Sequence, residues 1–206
     1  MILWTLRHTK PYNPADVCYG RTDFDVSPDF EEEYPPALKV LAAHCEAKRL
    51  FSSPLKRCIK LAGKVSNELE LPIEPKEAII ELNFGSWEGQ KLTEVPREEM
   101  AAWKADLRGF RFPNGESFHD MDKRVTAFIK ELLGEEEVLF VTHAGVIAAI
   151  EHSICKVPDE KFVEGQFPYT MVTRFEIGET STGKLLGTFE TIYGGIKQSP
   201  LVTEKS

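Results

Sequence analysis

The sequence predicts an α/β fold, a three-layer sandwich in which a mostly parallel central sheet is covered by helices on both faces. Short apolar runs alternate with segments of a dozen or so residues whose apolar positions repeat with helical spacing, which is typical of right-handed βαβ units. The C-terminal part differs, because residues 171–177 and 184–192 resemble two strands joined by a turn and indicate an edge hairpin. No linker or internal repeat divides the sequence, so residues 1–206 are expected to form a single domain.

The first part of the chain is expected to supply two strands and two helices. Residues 2–6 form a short apolar run that stops at a charged pair, as a strand buried on both faces does. A helix with one apolar stripe is predicted over residues 36–48. Residues 49–52 are predicted to form the second strand. Ser53 follows as the expected N-cap of the next helix, with a proline at the first helical position.

The middle of the chain is expected to continue the same alternation. A weaker third strand is predicted around residues 78–82, and a helix is predicted near residues 93–107. Ser117 and Asp120 resemble a capping box at the start of a further amphipathic helix. Residues 138–141 are the strongest strand in the sequence, and they lead into another apolar helix that ends near residue 154.

The composition argues against several classes of function. Lys and Arg number 25 against 33 Asp and Glu, and the net charge of −8 has the wrong sign for binding nucleic acid or an anionic membrane. No apolar run approaches the roughly 18 residues of a membrane-spanning helix, and the N-terminus does not resemble a signal peptide. The four cysteines are scattered, which favours reduced thiols over disulfides or a zinc site. We therefore expect a cytoplasmic protein with no nucleic-acid and no membrane partner.

Reactive side chains follow the predicted strands at the positions where an α/β sheet binds its ligands. Arg7 and His8 end the first strand, and Arg57 lies one turn into the helix after the second strand. Glu81 ends the predicted third strand and His143 ends the fourth. Ligands of open parallel sheets bind beyond the carboxyl ends of the strands. Because guanidinium groups bind phosphate oxygens and imidazole can act as a nucleophile, the sequence predicts a phosphate site at this edge.

Each of these residues also has an ordinary structural explanation. A single histidine after a strand is more often structural or exposed than catalytic. Arg7 can bond to a carbonyl, Arg57 can be a surface residue of its helix, and Glu81 alone indicates almost nothing. The joint placement of all of them at successive strand ends favours the functional interpretation.

Five sequence blocks resemble those of the histidine phosphatase superfamily and occur in the same order. They read Leu-Arg-His-Thr at 6–9, Cys-Tyr-Gly-Arg-Thr-Asp at 18–23, Ser-Ser-Pro-Leu-Lys-Arg at 52–57, Glu-Leu-Asn-Phe-Gly-Ser-Trp-Glu-Gly at 81–89 and Val-Thr-His-Ala-Gly at 141–145. The second block resembles most closely the α-ribazole phosphatase branch. The resemblance covers residues 1 to about 155 and implies a phosphoglycerate mutase-like fold.

The resemblance implies a hydrolase, a histidine acid-type phosphatase that needs no metal and no cofactor. His8 would be the nucleophile and would form a phosphohistidine that water then hydrolyses. Arg7, Arg57 and His143 would hold the equatorial phosphoryl oxygens, and Glu81 would exchange protons with the leaving group and the attacking water. The implied partner is a small phosphorylated metabolite, and the branch points to α-ribazole 5′-phosphate of cobalamin biosynthesis.

The sequence departs from the family pattern beside the nucleophile. Thr9 and Pro14 stand where the family commonly has Gly and Asn, and Asn13 comes one place early. Thr9 still offers its backbone N–H, and the phosphate contact of the missing Asn is open between Asn13, Tyr19 and Thr22. The substrate-binding residues expected from the matched blocks are Thr9, Asn13, Tyr19, Gly20, Thr22 and Ala144.

Aromatic side chains in loops near the predicted site bear on the substrate. Core packing is the alternative explanation for each of them. If at least two line the mouth of the site, an ester with a flat or apolar body is favoured, since aromatic walls bury such groups well. The residues in question are Tyr19, Phe84, Trp87, Phe110 and Phe112.

Two other functions and the oligomeric state are open at this point. A phosphoglycerate mutase of the same superfamily is one alternative, although the segment between Glu81 and His143 is shorter than in the mutases it resembles. A silent module that binds phosphorylated ligands is the other, and the presence of both a nucleophile and a proton donor favours an enzyme. The sequence leaves open whether the protein is a monomer or a homodimer.

Overall fold

A computed structural model of the chain describes residues 1–158 and 167–194. Within these residues six strands form one sheet. The strands are β1 (Ile2–Arg7), β2 (Arg49–Ser52), β3 (Ile73–Pro75), β4 (Glu137–Thr142), β5 (Val172–Glu179) and β6 (Leu185–Tyr193).

The sheet is parallel on one side and antiparallel on the other. Its strand order is β3-β2-β4-β1-β5-β6. The pairs β3–β2, β2–β4 and β4–β1 are parallel, whereas β5 runs antiparallel to β1 and β6 runs antiparallel to β5. The predicted mostly parallel sheet with a C-terminal edge hairpin is confirmed.

Helices cover both faces of the sheet, as the three-layer prediction requires. Inner-strand side chains alternate between the two faces: Val138 and Phe140 of β4 belong to one apolar cluster, and Leu139 and Val141 belong to the other. Among the described residues the helices are α1 (Phe30–Glu33), α2 (Pro35–His44), α3 (Lys56–Leu69), α4 (Arg97–Ala105), α5 (Phe118–Glu131) and α6 (Ala144–Ser153). Apolar residues of α5 and α6 pack in the first cluster, and those of α2 and α3 pack in the second.

The helix α5 shows how the sequence determines an element. The Ser117 hydroxyl accepts the Asp120 N–H, and the Asp120 carboxylate accepts the Ser117 N–H at 2.8 Å. This confirms the predicted capping box, a motif worth about 1 kcal/mol. The predicted apolar face is buried, with Met121, Val125 and Ile129 fully enclosed, and each such side chain contributes roughly 1.5–3 kcal/mol.

The predicted third strand was placed wrongly. The strand is β3 at Ile73–Pro75, and residues 78–82 instead contain part of a 3-10 turn, Glu77–Ile79, and an irregular segment. Ile79 and Leu82 are apolar because they pack in the same cluster as α5, and not because they pair in the sheet. Side chains satisfy the backbone there: the Thr142 hydroxyl donates to the Ile79 carbonyl at 2.8 Å.

The helix that follows β2 begins later than predicted. It begins at Lys56, its N-cap residue is Leu55, and no side chain caps it. The prediction that Ser53 is the cap is therefore wrong. Ser53 instead extends the pairing of β2 with β4 by one residue, because it donates its N–H to the Val141 carbonyl at 3.0 Å. Its hydroxyl faces His143, the residue that follows β4. Among residues 1–158 and 167–194, no helix combines the length and the apolar character that crossing a bilayer requires.

Candidate active site

Two buried histidines lie side by side at the carboxyl ends of the central strands. In the parallel register of β1 and β4, Arg7 is opposite Thr142, so the residues that follow, His8 and His143, are neighbours. Their ring centroids are 5.0 Å apart and the ring planes are inclined by 62°. Both side chains are almost fully enclosed.

The hydrogen bond of His8 fixes its tautomer. The His8 Nδ1 atom lies 2.6 Å from the Thr9 carbonyl oxygen. A carbonyl oxygen can only accept, so Nδ1 carries the proton and Nε2 keeps its lone pair. Burial, followed by the positive charges of Arg57 and Arg7, holds the pKa of His8 well below its usual value. His8 is therefore neutral near pH 7, which is the form in which imidazole is nucleophilic.

His143 is held on both sides by groups of the chain. Its Nε2 atom lies 2.7 Å from the Ser53 hydroxyl, and its Nδ1 atom lies 3.3 Å from the Arg57 Nη2 atom. Burial, and then the charge of Arg57, lowers the pKa of His143 well below the usual value. Ser53 was not predicted as part of the site. Its position in the Ser-Ser-Pro block was the available signal.

The Arg57 side chain enters the site from the first turn of α3. It is completely buried. Its Nη1 group donates to the Thr22 carbonyl at 2.9 Å, and its Nη2 group donates to the Gly20 carbonyl at 2.6 Å. A guanidinium has five N–H donors, and a further one, on Nη2, faces the His143 Nδ1 atom at 3.3 Å.

Several buried polar atoms beside His8 have no partner within the described part of the chain. They are Arg7 Nε, Arg57 Nε and the Thr9 hydroxyl oxygen. Burying a donor without a partner costs about 1–3 kcal/mol. Donors left in this state around two imidazoles are typical of a site that binds an anion.

Arg7 stacks on an aromatic residue that the sequence gave no reason to single out. The Arg7 guanidinium carbon lies 4.1 Å from the centre of the Tyr169 ring, and Arg7 also donates to the Phe167 carbonyl. The Tyr169 hydroxyl lies 3.0 Å from the Tyr19 hydroxyl. Tyr169 precedes β5 in a segment without a motif, so only the pairing of β5 with β1 brings it here.

Glu81 reaches the same site from the irregular segment after β3. Its side chain is mostly buried, with the residue 9% exposed. Its carboxylate accepts the Leu82 N–H at 2.9 Å and the Gly145 N–H at 3.3 Å. The second bond places the Glu81 carboxyl group beside the first turn of α6.

Of the six predicted substrate-binding residues, Thr9 lies next to His8 with the unpartnered hydroxyl described above, and the other five separate into three groups. Tyr19 and Ala144 line the cavity that contains His8. The Gly20 and Thr22 carbonyls face Arg57, as described above. The predicted role of Asn13 is not supported, because its amide donates to the Val17 carbonyl at 2.8 Å and accepts the Val17 N–H at 3.3 Å within its own loop.

The cavity has a volume of about 700 Å³ and an aromatic wall. Arg7, His8 and Glu81 lie on its surface. Predicted aromatic residues line it in part, whereas Phe110 and Phe112 pack against Trp87 with ring centroids 5.7 and 4.9 Å away. The aromatic residues on the wall are Tyr19, Phe84, Trp87, Trp103 and Phe167. Within residues 1–158 and 167–194, no group of three His, Cys, Asp or Glu side chains is arranged to hold a metal ion.

Comparisons with known proteins identify relatives of the whole arrangement. A family model described as histidine phosphatase superfamily (branch 1) matches residues 3–186. Phosphoserine phosphatase 1 of Hydrogenobacter thermophilus is 28% identical over 167 residues, which cover 76% of this chain and 77% of that protein. The adenosylcobalamin/alpha-ribazole phosphatase of Salmonella typhimurium is 28% identical over 166 residues, covering 77% of this chain and 81% of the relative.

Solved structures show the same fold. The native structure of a mycobacterial glucosyl-3-phosphoglycerate phosphatase matches with a TM-score of 0.78 and 21% sequence identity. The match covers 92% of this chain and 97% of that chain.

Proposed function

The chain belongs to the histidine phosphatase superfamily, and from this premise we propose that it hydrolyses a small phosphate ester through a phosphohistidine on His8. One observation carries the proposal. The neutral His8, with its Nε2 lone pair, shares a cavity with Arg7 and Glu81 and lies against His143. Relatives that are themselves phosphatases support hydrolysis as the reaction.

In the first step, the His8 Nε2 atom attacks the phosphorus atom and the bond from phosphorus to the ester oxygen breaks. The leaving alkoxide takes a proton from Glu81. Arg7 and Arg57 donate hydrogen bonds to the equatorial oxygens, where negative charge must be stabilised as the phosphoryl group moves. His143 accepts a hydrogen bond from Arg57 at Nδ1 and faces the Ser53 hydroxyl with Nε2, so in this step it supports Arg57.

In the second step, water attacks the phosphohistidine. Glu81, now a carboxylate, accepts a proton from the water, the nitrogen–phosphorus bond breaks and inorganic phosphate leaves. His8 returns to the neutral form and Glu81 to the acid. The guanidinium groups supply the positive charge, so the proposed reaction needs no metal, and turnover should be unchanged by EDTA.

For the substrate we propose an ester with a flat or apolar body, with α-ribazole 5′-phosphate as the first candidate. The aromatic wall buries such a group well, and a volume of about 700 Å³ is in the range of small-molecule sites. The relative from Salmonella typhimurium supports this candidate by its name. Hydrolysis rates over a panel of nucleoside, sugar and amino-acid phosphates would rank the candidates.

Turnover of p-nitrophenyl phosphate tests the reaction. His8→Ala should lose activity by about a thousandfold or more, because the nucleophile is gone. Glu77→Gln changes an exposed carboxylate on the segment that leads to Glu81 and should retain activity. Binding of phosphate without turnover by the unmodified protein would instead support a silent binding module. Transfer that needs a bisphosphate primer would support a mutase.

A further inference from the structure

We propose that Glu88 is a positioning residue, which holds the Arg57 guanidinium in its phosphate-binding orientation through the peptide segment 20–22. The inference rests on the proposed function, since it assigns Arg57 to the phosphoryl group. Glu88 does not line the cavity, and no step of the mechanism above uses it.

The Glu88 carboxylate binds one side of the segment. One oxygen, Oε1, accepts the Arg21 N–H at 2.9 Å, and the other, Oε2, accepts the Thr22 N–H at 2.6 Å. The Thr22 hydroxyl also donates to Oε2. These bonds fix the direction in which the two peptide groups point.

Arg57 binds the other side of the same segment. The Gly20 and Thr22 carbonyls accept its Nη2 and Nη1 groups at 2.6 and 2.9 Å. The peptide group between Gly20 and Arg21 therefore donates its N–H to Glu88 and accepts Arg57 at its carbonyl oxygen. A peptide group that donates to an anion becomes a stronger acceptor through polarisation along the chain of hydrogen bonds.

The peptide segment 20–22 is closely packed at Gly20. A Cβ atom on Gly20 would lie 2.0 Å from the Leu82 carbonyl oxygen and 2.9 Å from Glu88 Oε1. The flanking backbone is joined as well, because the Cys18 N–H donates to the Gln90 carbonyl at 2.8 Å and the Gly89 N–H donates to the Cys18 carbonyl at 2.9 Å. The Arg57 position therefore depends on the loop that carries Glu88.

This arrangement orients a cation without neutralising it. Among the described residues, the protein hydrogen bonds of Arg57 go to carbonyl oxygens and His143 and not to a carboxylate. A carboxylate in direct contact would compete with the phosphoryl group for the guanidinium. Glu88 acts one peptide segment away, so the charge of Arg57 stays available to the substrate.

Glu88 is ionised under the conditions in which the site would work. Burial opposes its ionisation, but hydrogen bonds from Thr22, Arg21 and Gly20 outweigh that effect and lower the pKa of the Glu88 carboxyl. The carboxylate also accepts the Phe84 N–H at 3.1 Å, and this bond ties it to the segment that follows Glu81. One anion therefore links the segment that binds Arg57 to the segment that carries Glu81.

A double-mutant cycle between Glu88→Gln and Arg57→Ala tests the proposal. The amide of glutamine keeps the size of Glu88 but directs N–H groups at a peptide N–H. In the unmodified background we expect kcat/KM for p-nitrophenyl phosphate to fall by about 10- to 100-fold, with a comparable loss of orthovanadate affinity. In the Arg57→Ala background the same substitution should change kcat/KM by less than about threefold.

The matched control is Asp120→Asn. It also removes a carboxylate that accepts a backbone N–H, at the start of α5, and it should lower Tm but leave kcat/KM within about twofold. An equal loss for Glu88→Gln in both backgrounds would overturn the proposal, since Glu88 would then act on the fold and not through Arg57. No loss in the unmodified background would overturn it as well.

The same double-mutant cycle can be repeated with the affinity for inorganic phosphate, measured by calorimetry, in place of kcat/KM. This measurement separates the inference from the proposed function. If the unmodified protein binds phosphate but does not turn over esters, the proposed reaction fails. Non-additive phosphate binding in the cycle would still support the role of Glu88, and additive binding would refute it.

Discussion

At the scale of single residues, the chemistry depends on histidines that the fold keeps neutral. His8 and His143 are buried beside two guanidinium groups, so protonating either one in the native state places a further positive charge in an enclosed cationic site. The same feature that makes His8 nucleophilic therefore predicts how stability depends on pH.

We expect the free energy of unfolding to decrease as the pH falls below about 6.5. The pKa of both histidines is lowered in the folded protein, so below the unfolded-state value the unfolded chain takes up protons that the native protein does not. Each histidine then contributes a slope of at most about 1.4 kcal/mol per pH unit. Urea unfolding between pH 7 and pH 5 in phosphate-free buffer measures the slope.

Substitution identifies the groups responsible. His8→Asn removes one of the two titrating groups. It should reduce the slope of the free energy of unfolding by up to about 1.4 kcal/mol per pH unit, whatever its effect on stability at pH 7. An unchanged slope in His8→Asn and in His143→Asn would contradict the burial argument.

Ser53 provides a second test at this scale. Ser53→Ala removes the hydroxyl that lies 2.7 Å from His143 Nε2, so we expect a loss of about 1 kcal/mol in stability and roughly a 10-fold fall in kcat/KM as the imidazole loses its orientation. The neighbouring Ser52→Ala removes an equally buried hydroxyl, which bonds to the Ser53 carbonyl. Its stability loss should be similar and its activity loss smaller; equal activity losses would count against an orienting role of Ser53.

At the scale of elements, the segment that carries Glu81 is held by side chains and not by a strand. The Glu81 carbonyl accepts Arg124 Nη2 at 3.1 Å and Arg21 Nε at 3.4 Å. Glu116 joins these two guanidiniums, because one of its oxygens lies 2.8 Å from Arg124 and 3.2 Å from Arg21. The same oxygen accepts the Asn83 N–H at 3.0 Å, so this ionic cluster fixes the chain on both sides of Glu81.

We expect Arg124→Ala to weaken proton donation by Glu81. The reason is that the segment loses its bonds to the Ala78 and Glu81 carbonyls. Phosphorylation of His8 by an alkyl ester needs a proton for the leaving group, whereas p-nitrophenolate leaves without one. The fall in kcat/KM should therefore be about 10-fold larger for the alkyl ester.

The control for this comparison is Arg49→Ala. Arg49 forms an ion pair with Glu74 at the outer part of the sheet, and its loss should affect both esters equally. Equal losses for both esters in Arg124→Ala would show that the cluster does not act through Glu81.

The elements also show what a sequence can and cannot predict. β1 and β4 were predicted because each is a compact apolar run, and their parallel register brings His8 and His143 together. The weaker strand around residues 78–82 was also predicted from apolar residues, but there the backbone is satisfied by side chains from α5 and β4. Periodicity does not distinguish a paired apolar segment from one buried beneath a helix.

The remaining differences concern contacts between distant segments. Ser53, Tyr169 and Glu116 join the site or its support through residues far away in the chain. Asn13, by contrast, binds locally to Val17, as asparagine in a loop often does. Residue type and spacing predicted the reactive groups, whereas the groups that orient them depend on tertiary packing.

At the scale of the whole molecule, an acidic chain encloses two histidines that lie beside two guanidinium groups. The net charge is −8, yet the charges that act on His8 are those of the Arg57 and Arg7 guanidiniums. Charges more than about 10 Å away are screened at physiological ionic strength, so the local groups determine what enters. Beyond them the cavity wall is largely aromatic and apolar, and Leu92 on its rim is 53% exposed.

We expect Trp103→Ala to reduce the preference for esters with a flat apolar body. Removing this part of the wall takes away buried contact area, so the ratio of kcat/KM for 1-naphthyl phosphate to that for glycerol phosphate should fall by about 5- to 20-fold. Phe189→Ala changes an exposed aromatic residue on β6 and should leave the ratio unchanged. An unchanged ratio in Trp103→Ala would mean that the aromatic wall does not select the substrate.

The most direct test of the whole account is to trap the covalent intermediate. Protein mixed with ³²P-labelled substrate, quenched in alkali and digested should yield one labelled peptide, with acid-labile, alkali-stable phosphate on the Nε2 atom of His8. His8→Ala should give no label, and Glu81→Gln should still be labelled by p-nitrophenyl phosphate, whose leaving group needs no proton. Label on His143 or on a serine, or turnover with no trapped phosphoryl group in any variant, would contradict it.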